Sequence, residues 1–159
     1  MTNINVLENK ISAVLKYLRI LENFKKYSKE EILKDINLTG ALERYLYLAV
    51  QASIDLADAS ISYKSFRKPA SLKESFEILQ EEGIIQVELK DRLIKMVGFR
   101  NVIAHDYEKV DYDIVYDILQ NQLKDIKNFV EVMGKYFLFN FTWQRKKNQT
   151  TTLEITIQK

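Results

Sequence analysis

An all-α bundle of four main helices plus a short one is the architecture the sequence predicts, and three observations predict it. Apolar residues recur at three- and four-residue steps through most of the chain, the period of a helix with one buried face. Only four Gly and one Pro occur in 159 residues, too few for the many turns of an all-β fold. A 47% hydrophobic content, with nine Tyr and eight Phe, is enough for one packed core and argues against disorder.

The elements follow in order. Leu7, Ile11, Val14, Leu15, Leu18 and Leu21 mark a first helix reaching about Lys26. Ser28 and Glu31 form a capping box for a short second segment. Leu42, Leu46, Ala49, Ser53 and Leu56 stripe a long helix to about Ile61, and the small Ala49 and Ser53 allow close approach of a neighbour. Residues 62–70 hold the sole proline, Pro69, and read as a loop. Ser71 with Glu74 forms a second capping box, and Gly83 stops that helix. From Gln86 a further helix carries Leu89, Leu93, Met96 and Val97 on one face. It breaks over 105–110, and Asp111 caps the last helix, striped by Ile114, Val115, Ile118, Leu123, Ile126, Phe129, Val130 and Met133.

The C-terminal residues change character. Phe137, Phe139, Phe141 and Trp143 alternate at period two, as do Leu153, Ile155 and Ile157, with a polar stretch between them. This predicts a β-hairpin; the competing reading continues the last helix through Phe141 and leaves the rest loose. We divide the chain into a helical domain, 1–137, and a tail, 138–159, hairpin or disordered. The tail carries four basic residues against one acidic, so the rest of the chain is slightly acidic. A protein that coats nucleic acid generally would not be charged in this way.

Composition excludes several classes. There is no cysteine and one histidine, His105, so disulfides, a cysteine nucleophile and a Cys/His zinc site within one chain are out. The four glycines are scattered, which removes phosphate loops and dinucleotide fingerprints. The N-terminus lacks a signal-peptide layout, and no apolar run approaches the roughly 20 residues of a membrane span. The expectation is a soluble cytoplasmic protein without membrane contact or cofactor.

Residues 96–107, MVGFRNVIAHDY, carry the candidate chemistry. Arg100 falls where the apolar stripe of residues 89, 93, 96 and 97 would continue. A guanidinium there needs a partner, a ligand or the bundle rim. On a straight helix positions 100 and 105 diverge; a helix end between them would let both reach one cleft. Plainer roles compete: His105 as a helix C-cap, Arg100 paired with Asp55 or Glu43, Asp55 solvated, and Tyr107 an ordinary amphipathic tyrosine.

The string Arg100-x-x-x-x-His105-x-Tyr107 resembles the R-x(4–6)-H-x-Y signature of the HepT branch of the HEPN ribonucleases. The resemblance spans about 42–136: ALERYLYLAVQASIDLAD resembles the family's second long helix, SFEILQEEGII its middle segment and GFRNVIAHDY its active-site end. It implies a HEPN-type bundle and a metal-independent endoribonuclease toxin of a toxin–antitoxin pair. The ribose 2′-OH would attack the phosphate, with His105 as general acid/base and Arg100 holding phosphate charge. Asn101 would add a hydrogen bond, and Asp55 would orient Arg100. One histidine leaves a second proton-transfer role unfilled, which the resemblance fills with a homodimer whose two motifs share one cleft; Gly98 would permit close approach there. It further implies a cognate minimal nucleotidyltransferase antitoxin that silences the toxin by AMPylation of Tyr107. The alternative is a non-catalytic HEPN module assisting a nucleotidyltransferase, which would not need all three motif residues.

Overall fold

The computed structural model describes residues 3–139, and every described element is helical. Helix α1 (Ile4–Phe24) is capped by Asn3, whose side chain accepts from the Val6 N–H. The short α2 (Lys29–Lys34) begins on the expected capping box, with Ser28 and Glu31 each accepting from the other's backbone. Asp35 then caps the long α3 (Ile36–Lys64). α3 runs one turn past the expected boundary and ends at Ser65 in the left-handed conformation, so the loop starts later than the proline suggested.

Helix α4 (Leu72–Glu81) follows, and Gly83, at φ +71°, turns the chain into α5 (Val87–His105). The capping box predicted at Ser71 does not form. Glu74 instead accepts from the Ala70 N–H and from Arg67 Nη1, each at 2.5 Å, and Arg67 Nη2 reaches Glu81 at 3.0 Å. A charge-assisted bond outcompetes the neutral hydroxyl cap, and Arg67 holds the Glu74 carboxyl below its ordinary range.

A single 3₁₀ turn (Tyr107–Lys109) separates α5 from α6 (Tyr112–Asp117), whose cap, Asp111, accepts from the Asp113 N–H. A π turn (Ile118–Gln122) joins α6 to α7 (Leu123–Gly134), so the two make one long helical run. The run is fastened at its start: the Tyr116 hydroxyl donates to the Tyr27 carbonyl at 3.2 Å and Gln120 to that of Lys25, also at 3.2 Å.

The core is continuous through α1, α3, α4, α5 and α7. At its centre Phe76 of α4 meets Phe129 of α7 edge to face, with centroids 5.4 Å apart and both rings fully buried. Ala49 and Ser53 are buried as expected; the Ser53 hydroxyl donates back to the Ala49 carbonyl, which satisfies it without a neighbour's help. Two stripe members are not core: Leu15 and Ile114 are both exposed, at 41% and 51%.

Phe137 and Phe139 lie in a second π turn (Lys135–Phe139), not in a strand. Phe137 is buried edge-on against Tyr63 at the end of α3, 5.8 Å between centroids, and that packing extends the helix. The remainder of the predicted hairpin, from Phe141 to Ile157, lies outside the described residues. Among the described residues no helix is long and apolar enough to cross a membrane.

Candidate active site at the end of helix α5

Helix α5 runs antiparallel to α3, since its last residues meet the first half of α3. His105 is the final residue of α5 and is exposed. It shares a cleft of about 490 Å³ with Gly40, Glu43, Arg44 and Tyr47 from α3 and with Ile103 and Ala104.

Arg100 lies five residues earlier on α5 and is half-buried. Its Nη2 donates to the Tyr47 hydroxyl and to Gln51 Oε1, each at 2.8 Å, and its Nη1 donates to Asn101 Oδ1 at 2.9 Å. The guanidinium carbon lies 4.6 Å from the Tyr47 ring centroid, within cation–π range. Its Nε is buried without a partner, an incomplete satisfaction that α3 alone does not relieve.

The apolar stripe of α5 therefore ends in a cation solvated by protein. It does not pair directly with Asp55 or Glu43. Gln51 stands between: its amide oxygen faces Arg100 and its amide nitrogen donates to Asp55 Oδ1 at 2.8 Å. Asp55 in turn lies 3.9 Å from Lys10 Nζ. Glu43 is held from another side, because the Tyr112 hydroxyl donates to its carboxylate and the Tyr112 phenol is thereby pushed up to about 12.

The sequence-predicted residues thus straddle α5. His105 lines the cleft, with Arg100 one phenol ring away. Asn101 lines a different groove of about 530 Å³, with Ser71, Leu72, Lys73, Ile94, Val97 and Gly98. Tyr107 opens the 3₁₀ turn two residues beyond His105. Tyr47 and Gln51, the direct partners of Arg100, were not singled out from the sequence. Their signal was the four-residue step Tyr47, Gln51, Asp55, which places all three on one face of α3. Among the described residues no group of three or more acidic or histidine side chains is placed to hold a metal ion.

The all-helical bundle is that of the HEPN class, to which a solved toxin of similar fold belongs. The chain belongs to the HepT-like ribonuclease family, whose description "Ribonuclease HepT-like" it matches over residues 14–133. It is 28% identical over 130 residues to the mRNA nuclease HepT of Shewanella oneidensis, covering 81% of this chain and 96% of that one. It is 27% identical over 140 residues to the tRNA nuclease HepT of Aphanizomenon flos-aquae, covering 87% and 95%. Its fold resembles the tri-AMPylated Shewanella oneidensis HEPN toxin solved in complex with its MNT antitoxin. The TM-score is 0.75 at 28% identity, covering 84% of this chain and 98% of that one.

Proposed function

We propose that this protein is a metal-independent endoribonuclease toxin, acting as a homodimer and silenced by AMPylation of Tyr107 by a partner nucleotidyltransferase. The observation that carries the reading is Arg100, a guanidinium fixed by Tyr47 and Gln51 beside the His105 cleft. The naming of two relatives as RNA nucleases supports the substrate class, and the AMPylated toxin–antitoxin neighbour supports the regulation.

In this reading the 2′-oxygen attacks phosphorus while its proton passes to a neutral imidazole. The P–O5′ bond breaks and the leaving oxygen takes a proton from a second, protonated imidazole. A 2′,3′-cyclic phosphate and a free 5′-hydroxyl remain. Arg100 balances the charge that builds on the non-bridging oxygens. One chain supplies one imidazole, so the second comes from His105 of the other protomer. Purified protein is expected to cut RNA in EDTA and to leave cyclic or 3′-phosphate ends. Cutting that requires magnesium would sink the mechanism.

The dimer has its own test at Gly98. A Cβ added there meets nothing within 4 Å among the described residues, so Gly98→Ala should stabilise a lone protomer by about 1 kcal/mol through helix propensity. At a seam the same methyl would meet the partner protomer. The expected result is a higher unfolding temperature for the monomeric fraction together with weaker dimerisation in sedimentation. An alanine variant that dimerises as tightly as the parent would take Gly98 out of the seam.

A further inference from the structure

Arg44 lines the cleft together with His105 and Tyr47. Its guanidinium carbon is 5.6 Å from the Tyr47 ring centroid, and that of Arg100 is 4.6 Å from the same ring. One phenol ring therefore organises two guanidinium groups. They differ in what else holds them. Arg100 is saturated on one amino group by Tyr47 and Gln51 and is half-buried. Arg44 is exposed, and among the described residues no carboxylate lies within ion-pair distance of it and no side-chain hydrogen bond engages it. The neighbouring carboxylate, Glu43, is occupied by the Tyr112 hydroxyl.

A guanidinium with no acidic partner among the described residues, oriented on a ring and opening into a cleft that contains an imidazole, is a receptor for a planar or tetrahedral oxyanion. Resting on the ribonuclease reading above, we infer that Arg44 is a second phosphate-binding residue of the cleft. It takes the RNA phosphate next to the scissile one, and Tyr47 sets the spacing between the Arg44 and Arg100 subsites. Arg44 makes its contact in the bound state and the transition state alike, so its removal should weaken binding far more than turnover. An acidic patch on a protein partner is the other anion that could meet such a group. The shared ring with Arg100 and the shared cleft with His105 favour the substrate.

The test uses the full chain and a single-stranded RNA oligonucleotide in cleavable and 2′-O-methylated, uncleavable forms. Arg44→Ala is expected to raise the dissociation constant of the uncleavable RNA about tenfold. The slope of log affinity against log salt should fall by about 0.7, the loss of one phosphate contact on a single strand. With cleavable RNA, KM should rise by a similar factor while kcat changes little, and Arg44→Lys should recover part of the affinity. Unchanged affinity and salt slope in Arg44→Ala, with the parent protein cutting RNA normally, would overturn the inference and leave the ribonuclease reading standing. So would a loss confined to binding of the partner nucleotidyltransferase. A parent protein that neither binds nor cuts RNA would overturn both.

Discussion

Arg100→Ala and His105→Ala are each expected to reduce RNA cleavage by about 10²-fold or more, the usual scale for removing a charge-stabilising or acid/base group. That corresponds to roughly 2.7 kcal/mol of transition-state stabilisation in each case. The two losses should have different signatures. In the homodimer His105→Ala deletes both imidazoles, the base and the acid, so the bell-shaped pH–rate profile should lose both limbs and flatten. Deleting Arg100 should leave the profile's shape intact and lower its height. Arg100→Lys should fail nearly as badly as Arg100→Ala. A single ammonium cannot donate in fixed geometry to the Tyr47 hydroxyl, Gln51 and Asn101 and still face a phosphate. Neither substitution touches the Phe76–Phe129 centre of the core, so circular dichroism should show folded protein. Cleavage that survives His105→Ala at parental rate would end the assignment.

The fold was legible where local chemistry decides it. The Ser28–Glu31 box, the Asp111 cap and the Gly83 stop are each satisfied within four residues of chain, so the sequence alone specifies them. The π turn over Ile118–Gln122 was not legible, because Leu119 and Leu123, both buried, keep an ordinary four-residue step across it. Ser71 was misread because its competitor is distant: Arg67, in the loop, recruits Glu74 and Glu81 from the first and last turns of α4. Phe137 was misread because alternation over a few residues does not decide against a helix, and the ring it packs on, Tyr63, lies on α3, far away in sequence. The site divided along the same line. Arg100 and His105 stood out because each breaks a local pattern, a charge on an apolar face and the sole histidine. Tyr47, Gln51 and Arg44 break none. Only the antiparallel packing of α3 on α5 brings them to the site, and no short window of sequence contains both helices.

Tyr107→Phe is expected to leave RNA cleavage unchanged and to abolish silencing by the partner nucleotidyltransferase. The backbone supports the first half. Residue 107 opens a turn held by the Asp106 N–H to the Val102 carbonyl at 2.9 Å and by the Lys109 N–H to the Asp106 carbonyl at 3.0 Å. An Asp106–Lys109 ion pair at 2.8 Å adds to it, and none of these bonds uses the phenol oxygen. The second half follows from charge. Residue 107 is two positions beyond His105, at most about 7 Å of extended chain. An AMP linked to its phenol brings a phosphodiester anion to a site proposed to bind phosphate. Two like charges 4 Å apart at an effective dielectric near 20 repel by about 4 kcal/mol, and salt and distance reduce that. A loss of about 10²-fold in RNA cleavage is therefore reasonable for the modified protein, before the bulk of the nucleotide is counted. The measurement pairs intact-mass spectrometry with a cleavage assay after incubation with the nucleotidyltransferase and ATP. The parent chain should gain one or more AMP increments and lose activity in proportion, while Tyr107→Phe should gain none and stay active. A phenylalanine variant that is modified and silenced like the parent would place the modification on another residue.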